Sequence, residues 1–371
     1  MPGRSLRIVR EIRTDRGAID AAPMERFHIW NRPRRKFMKR WPFPALAGSL
    51  LLCGLAVAED ARPTVVHPDE RGSVLFKPHG DQQRVPDRYR LELRSFPYEM
   101  TFKRDLPSSG LTVSFVHFPS PVTTDCPENN TVYAEYYRPK GKGPFPGVIV
   151  LDITAGDQSL SRTISTSLAQ NGVAALFVQM AYYGPRRPPG SKLRLLSTNI
   201  PRTMDAIRQT VLDVRMATAW LEVRPEIDPK RLGIHGTSLG SMVGALAAEM
   251  EPKLRRVSIA LGGGGLVDAY YEDPRAASYR EFWEALGGTK KRIVDLLAPV
   301  DPLTYAANLK GRDVLMIAGK RDEIIPPRAT KALWKAAGEP KIVWYDCSHY
   351  GAALYFVPIM NQVVKHFKDA P

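Results

Sequence analysis

The pentapeptide Gly236-Thr237-Ser238-Leu239-Gly240 constrains this chain more than any other feature. A strand-like run, residues 231–235, leads into it, and a helix-like run, residues 242–250, leads out. A strand that passes into a helix through so short a link must turn sharply. A serine at the apex then has strained backbone angles and a hydroxyl projecting from the sheet. Side chains two residues to either side would collide there, so both flanks are glycine. Ser238 is therefore a candidate nucleophile. The bare motif also occurs in glycine-rich loops before helices, so the order of the surrounding elements has to decide.

Residues 111–118 and 131–137 alternate apolar and polar side chains, as half-buried antiparallel strands do. Residues 147–153 form a continuous apolar run, the pattern of a strand buried on both faces. Beyond them strands are predicted at 173–180, 231–235, 255–261, 313–318 and 341–345, and helices at 159–170, 202–221, 328–337 and 352–367. This alternation predicts an α/β fold with a mostly parallel central sheet, helices on both faces and right-handed crossovers. Ligands in such sheets bind beyond the carboxyl ends of the strands. Residues 59–110, rich in proline and charge, are expected to form an N-terminal arm or edge strands. The main domain spans 111–371, with a short helical cap over about 266–307.

A net charge of +15 raises the question of a nucleic-acid partner. Its placement argues against one. Residues 1–40 carry 12 Lys and Arg against 4 Asp and Glu, while the remaining 41 and 34 are spread without a basic block. The N-terminal excess precedes the parts of an export signal: Lys39 and Arg40, an apolar run over 43–57, and Ala56-Val57-Ala58 before Glu59. The run is short for a membrane span, so the mature chain is expected to have none, with a membrane-anchored protein as the rival reading. Residues 1–58 thus read as an extension and export signal, with the mature protein periplasmic or extracellular. Arg34-Arg35 suggest the twin-arginine route; a start at Met38, rather than Met1 or Met24, would leave an ordinary secretory signal. Cys126 and Cys347 remain after cleavage, and the sequence does not settle whether they meet.

A serine is a weak nucleophile until a base takes its proton, and the base works best when a third group orients it. Asp322 follows the strand predicted at 313–318, and His349 lies in the loop after the strand at 341–345. Glu323 and Asp268 are alternatives for the acid, and Cys347 is a rival nucleophile without an elbow around it. His235, on the strand before Ser238, reads as a supporting residue. An acyl-transfer site also needs two N–H groups aimed at the developing oxyanion. Leu239, at the start of a helix, is one candidate; Thr154 and then Ala155, in the loop after the strand at 147–153, are candidates for the other. Tyr182, Tyr183, Tyr270 and Trp283 are possible pocket residues, although aromatic residues of the cap, Tyr270, Tyr271, Tyr279, Phe282 and Trp283, fit a helix core better. Gly262 to Gly265 lacks the Lys-Ser or Lys-Thr of a phosphate loop and reads as a turn into the cap. No metal-ligand spacing and no dinucleotide fingerprint occurs, so neither a metal nor a cofactor is expected.

The chain order Ser238, Asp322, His349, with the loops Gly319 to Pro326 and Ser348 to Gly351, resembles the α/β-hydrolase superfamily over about two thirds of the chain. Within it the sequence looks like the dienelactone hydrolase and acetyl xylan esterase group. It has Ser238 where dienelactone hydrolase uses cysteine, and it lacks the His-Gly-Gly-Gly run of many lipases. The resemblance implies a serine hydrolase that cleaves a small-molecule or polymer-linked carboxylic ester through an acyl-enzyme. Acyl transfer, peptide cleavage and a non-catalytic binding module are the alternatives. The ester and the oligomeric state are not fixed by the sequence.

Overall fold

The computed structural model describes residues 69–79, 84–154 and 157–369. The export signal, the start sites and Ala155 lie outside the described residues. The chain begins with β1 (Glu70–Phe76), β2 (Arg94–Leu106), β3 (Leu111–Pro119), β4 (Thr131–Pro139) and β5 (Phe145–Leu151). Then α1 (Ser159–Gln170), β6 (Ala174–Val178), α2 (Ile200–Glu222), β7 (Ile227–Thr237), α3 (Leu239–Met250) and β8 (Arg256–Ala260) follow. Three short helices, α4 (Leu266–Tyr270), α5 (Ala277–Ala285) and α6 (Lys290–Leu297), precede β9 (Asp313–Gly319), α7 (Pro327–Ala336), β10 (Lys341–Tyr345) and α8 (Phe356–Lys368).

The strands form one sheet in the order β1-β2-β3-β4-β6-β5-β7-β8-β9-β10. Pairings from β1 through β4 to β6 are antiparallel, and those from β6 to β10 are parallel. The α/β architecture is the expected one. β5 shows why it holds together: Ile149 and Leu151 enter the core that α2 and α3 cover, and Val148 and Val150 enter the core that α1 and α8 cover. A strand with apolar residues on both faces needs helices on both sides. Residues 62–109, where the sequence shows a single alternating stretch, supply two long-range strand partners, β1 and β2, at the edge beyond β3.

α2 starts where Asn199 accepts a hydrogen bond from the Arg202 N–H at 3.0 Å and Pro201 sits in the first turn, two ordinary helix-start devices. Its second half is buried all round, including Gln209, Asp213 and Arg215. The cap differs from its expectation. Neither α5 nor α6 has a buried residue, and Tyr279 and Phe282 are exposed rather than forming a helix core. Nine- and eight-residue helices lying on the surface offer too little depth to enclose an aromatic ring. Among the described residues, no helix is long and apolar enough to cross a membrane.

Candidate active site

β7 delivers its last residue, Thr237, to a turn at Ser238, whose φ of 54° and ψ of −119° are strained for a residue with a side chain. The turn is held from three sides. The Ser238 N–H donates to the Ala260 carbonyl at the end of β8, at 2.9 Å, and the Ser238 carbonyl accepts from the Ser241 N–H at 3.0 Å and the Ser241 hydroxyl at 2.6 Å. The flanking glycines are dictated by space. A Cβ on Gly236 would lie 2.1 Å from the Gly240 carbonyl oxygen, and one on Gly240 would lie 2.4 Å from the Asp152 carbonyl oxygen. These contacts are to backbone, which cannot rotate away.

The His349 Nε2 lies 3.0 Å from the Ser238 Oγ, and its Nδ1 lies 2.8 Å from the Asp322 Oδ2. The other carboxylate oxygen of Asp322 accepts the N–H groups of Ile324 at 2.9 Å and Ile325 at 2.7 Å. Those two bonds fix the carboxylate plane and direct Oδ2 at the ring. All three side chains are at least nine-tenths buried, with Ser238 6% exposed. Such burial strengthens each polar contact and keeps bulk water from competing for it.

The alternatives to this trio have other partners. Glu323 accepts the backbone N–H of His349 at 3.1 Å, so it fixes the loop that carries the imidazole and leaves the ring to Asp322. Asp268 pairs with Lys290 on the exposed surface of the cap. Cys347 is buried, burial pushes its thiol pKa up, and neither it nor Cys126 is in a disulfide. His235 is enclosed beneath the elbow, with Nδ1 3.0 Å from the Ser258 hydroxyl and Nε2 3.3 Å from that of Thr237. Burial depresses its pKa to about 3, so it is a neutral packing residue near neutral pH.

Leu239 is the first residue of α3, so its N–H has no acceptor inside the helix. The close approach of Gly240 to the carbonyls of Leu151 and Asp152 sets the end of β5 against the start of α3. Thr154, two residues beyond, is exposed, and its carbonyl accepts a hydrogen bond from the Tyr183 hydroxyl. The pocket candidates separate. Tyr182 and Tyr183 are buried in the loop after β6, with Arg202 over the Tyr182 ring. Tyr270 bonds the carbonyls of Glu323 and Ile324, which ties the cap to the loop bearing Asp322. Trp283 donates to the Thr289 carbonyl at 3.0 Å and covers Gly288, so its contacts are with its own loop and not with the trio.

Several contributors escape a reading by sequence. Asp152 is buried beside the elbow with one oxygen accepting from Ser161 at 2.8 Å and the other without a partner, and burial raises its pKa. Arg186 and Asp213, both fully buried, form an ion pair at 2.8 Å beneath the loop that carries Tyr183. The pairing itself carries no local signal, because the partners are distant in sequence.

A family model described as alpha/beta hydrolase domain containing 18 matches residues 76–260, and one described as the prolyl oligopeptidase family matches residues 205–343. An uncharacterised protein of Mycobacterium tuberculosis is 28% identical over 240 residues, 62% of this chain and 73% of that protein. An acetyl xylan esterase from a Paenibacillus species superposes with a TM-score of 0.58 at 18% identity, covering 72% of this chain and 88% of that one. Acetyl xylan esterase 1 from a Thermoanaerobacterium species gives 0.53 at 20% identity, covering 71% and 87%. At these identities the two esterases share the fold of this chain.

Proposed function

Because the chain belongs to the α/β-hydrolase superfamily, we propose that it is a serine esterase in which Ser238, His349 and Asp322 form the catalytic triad. The observation that carries the reading is the unbroken hydrogen-bond line from the Ser238 Oγ through both imidazole nitrogens to Asp322, at 3.0 and 2.8 Å. The Ser238 Oγ attacks the ester carbonyl carbon while its proton passes to the His349 Nε2. Asp322 holds the tautomer with the proton on Nδ1 and stabilises the imidazolium. The oxyanion meets the N–H of Leu239 and that of Thr154, the second donor suggested by sequence. Collapse of the tetrahedral species expels the alcohol, which takes the proton from His349. Water then attacks the acyl-enzyme, gives its proton to His349, and the acid leaves as Ser238 regains the proton.

Ser238→Ala tests the reading in the folded protein against a series of p-nitrophenyl esters of increasing acyl length. Loss of all but background hydrolysis is expected, and activity close to that of the parent would overturn it. The likeness of fold to two acetyl xylan esterases makes acetylated sugars a first substrate to try. The prolyl oligopeptidase match favours one second reading, amide cleavage by the same serine, which peptide anilides would separate from ester hydrolysis. We further propose export, on the pattern of residues 39–58 alone. Glu59 as the first residue of the protein recovered outside the cytoplasm supports it; an intact N-terminal segment there or retention in the cytoplasm overturns it.

A further inference from the structure

The loops after β5 and β6 are joined by side-chain hydrogen bonds, and the second is built on a buried polar platform. The loop after β6 turns at Tyr182, whose φ of 64° is unusual for a residue with a side chain. The Tyr182 N–H donates to the Asn129 Oδ1 at 3.0 Å. Arg186 closes the loop from below: its Nη1 donates to the Gln179 carbonyl at 3.0 Å and its Nη2 to the Asn129 carbonyl at 2.9 Å. The Asp213 carboxylate of α2 balances its charge and accepts the Ser120 hydroxyl at 2.6 Å. Asn129 donates in turn to the Gln209 Oε1 at 2.6 Å. Moving any member of this buried network would strand a charged or polar partner away from water.

The platform presents Tyr183. Its ring is buried and its hydroxyl donates to the Thr154 carbonyl in the loop after β5. Burial, with Asp152 nearby, pushes the Tyr183 pKa up, so the hydroxyl remains a donor wherever the imidazole of a triad works. A second fastening lies four residues on, where the Gln158 Nε2 donates to the Gln179 Oε1 at 3.2 Å. Gly184 leaves room for it: a Cβ there would meet the Gln179 Oε1 at 1.8 Å and the Gln158 Nε2 at 2.4 Å. The loop from β5 is thus strapped to the rigid loop at Thr154 and again at Gln158.

We propose that Tyr183 is a positioning residue for the oxyanion site, acting through the Thr154 carbonyl. The inference rests on the reading of Ser238 as the nucleophile. Oxyanion donors help only when they are already in place as charge develops, so a loop of small residues needs an external anchor. Tyr183 supplies it through its hydrogen bond to the Thr154 carbonyl.

The test is Tyr183→Phe in the full chain, beside Tyr89→Phe. The Tyr89 hydroxyl donates to the Pro299 carbonyl at 2.7 Å, so the second variant loses the same kind of bond elsewhere. For Tyr183→Phe, kcat on p-nitrophenyl acetate is expected to fall about 10- to 100-fold with KM within about threefold, since one oxyanion donor is commonly worth about that or more. The pH midpoint of kcat/KM should not move, because the Ser238–His349–Asp322 contacts are intact, and labelling by a fluorophosphonate should slow in parallel with kcat. Tyr89→Phe should keep the parent kcat. Equal kcat in Tyr183→Phe and the parent overturns the proposal, as does an equal loss in both variants. Should Tyr183→Phe not fold, Gln158→Ala cuts the other fastening and is expected to lower kcat with unchanged KM; an unaltered kcat there overturns the proposal. A parent enzyme inert toward esters refutes the esterase reading instead, which separates the two failures.

Discussion

Gly240→Ala adds one methyl group at the tightest point of the elbow. Its Cβ would lie 2.4 Å from the Asp152 carbonyl oxygen and 2.6 Å from that of Leu151. A comfortable carbon-to-oxygen contact is about 3.3 Å, so the end of β5 and the start of α3 must part by roughly 0.7–0.9 Å. Overpacking of this kind costs about 1–3 kcal/mol, offset by about 1 kcal/mol of helix propensity. The fold should survive. On the proposed mechanism the site should not, because the displaced segments carry Ser238 on one side and Thr154 on the other. A misplacement near 1 Å costs on the order of 100-fold in rate. The expected result is a kcat on p-nitrophenyl acetate about 100-fold below the parent, with the melting temperature lowered by a few degrees. Gly244→Ala, one turn further along α3, is the control. Its Cβ would meet the Ile234 side chain at 3.5 Å, an ordinary contact, so the variant should keep its kcat and gain about 0.5–1 kcal/mol of stability. A Gly240→Ala enzyme within threefold of the parent would refute the steric argument for the elbow.

Asp322→Asn should lower kcat by about three to four orders of magnitude with the fold intact. The Ile324 and Ile325 N–H groups claim the amide oxygen, so the NH2 faces the His349 Nδ1 and forces the wrong tautomer; rates within tenfold of the parent would count against it. His235 should make the protein acid-sensitive. Its folded pKa is depressed to about 3 from the ordinary 6.5, so its contribution is complete above pH 6.5 and is lost as pH falls toward 3. Between pH 7.5 and 4.5 linkage makes that loss roughly 2–3 kcal/mol. Denaturant melts of the parent and His235→Asn at both pH values check it: the variant should lose less stability by about that amount, and parallel losses would refute the assignment.

The trio was legible because its chemistry is tied to chain order. Ser238 sits between a strand pattern and a helix pattern with glycine on both sides, and Asp322 and His349 each follow a strand. In a parallel sheet, residues that end successive strands meet on one edge whatever the intervening helices contain. The succession of strands along the chain was legible from β3 onward, but their order in the sheet, with β6 between β4 and β5, was not. Of the arm-or-edge-strand alternatives for residues 59–110, the structure has edge strands; their number and pairing were not legible, because proline and charge mask the alternation of β1 and the pairing depends on β3 being there to receive them.

Burial of polar groups follows a different logic. Gln209, Asp213 and Arg215 are polar residues that would ordinarily face solvent, yet α2 buries them on different faces beside hydrogen-bond and ion-pair partners from other parts of the chain. Arg186 reaches Asn129 across 57 residues, and Tyr183 reaches Thr154 across 29. The opposite happens in the cap, where Tyr279 and Phe282 look like core but stay exposed. The sequence by itself determined the turn at Ser238, the mostly parallel sheet and the loops that hold Asp322 and His349, since each follows from local pattern. Tertiary structure alone decided which polar side chains are buried, which oxygen of Asp322 faces His349, and what anchors the loop beside Ser238. Those outcomes depend on hydrogen-bond partners that only folding brings within reach.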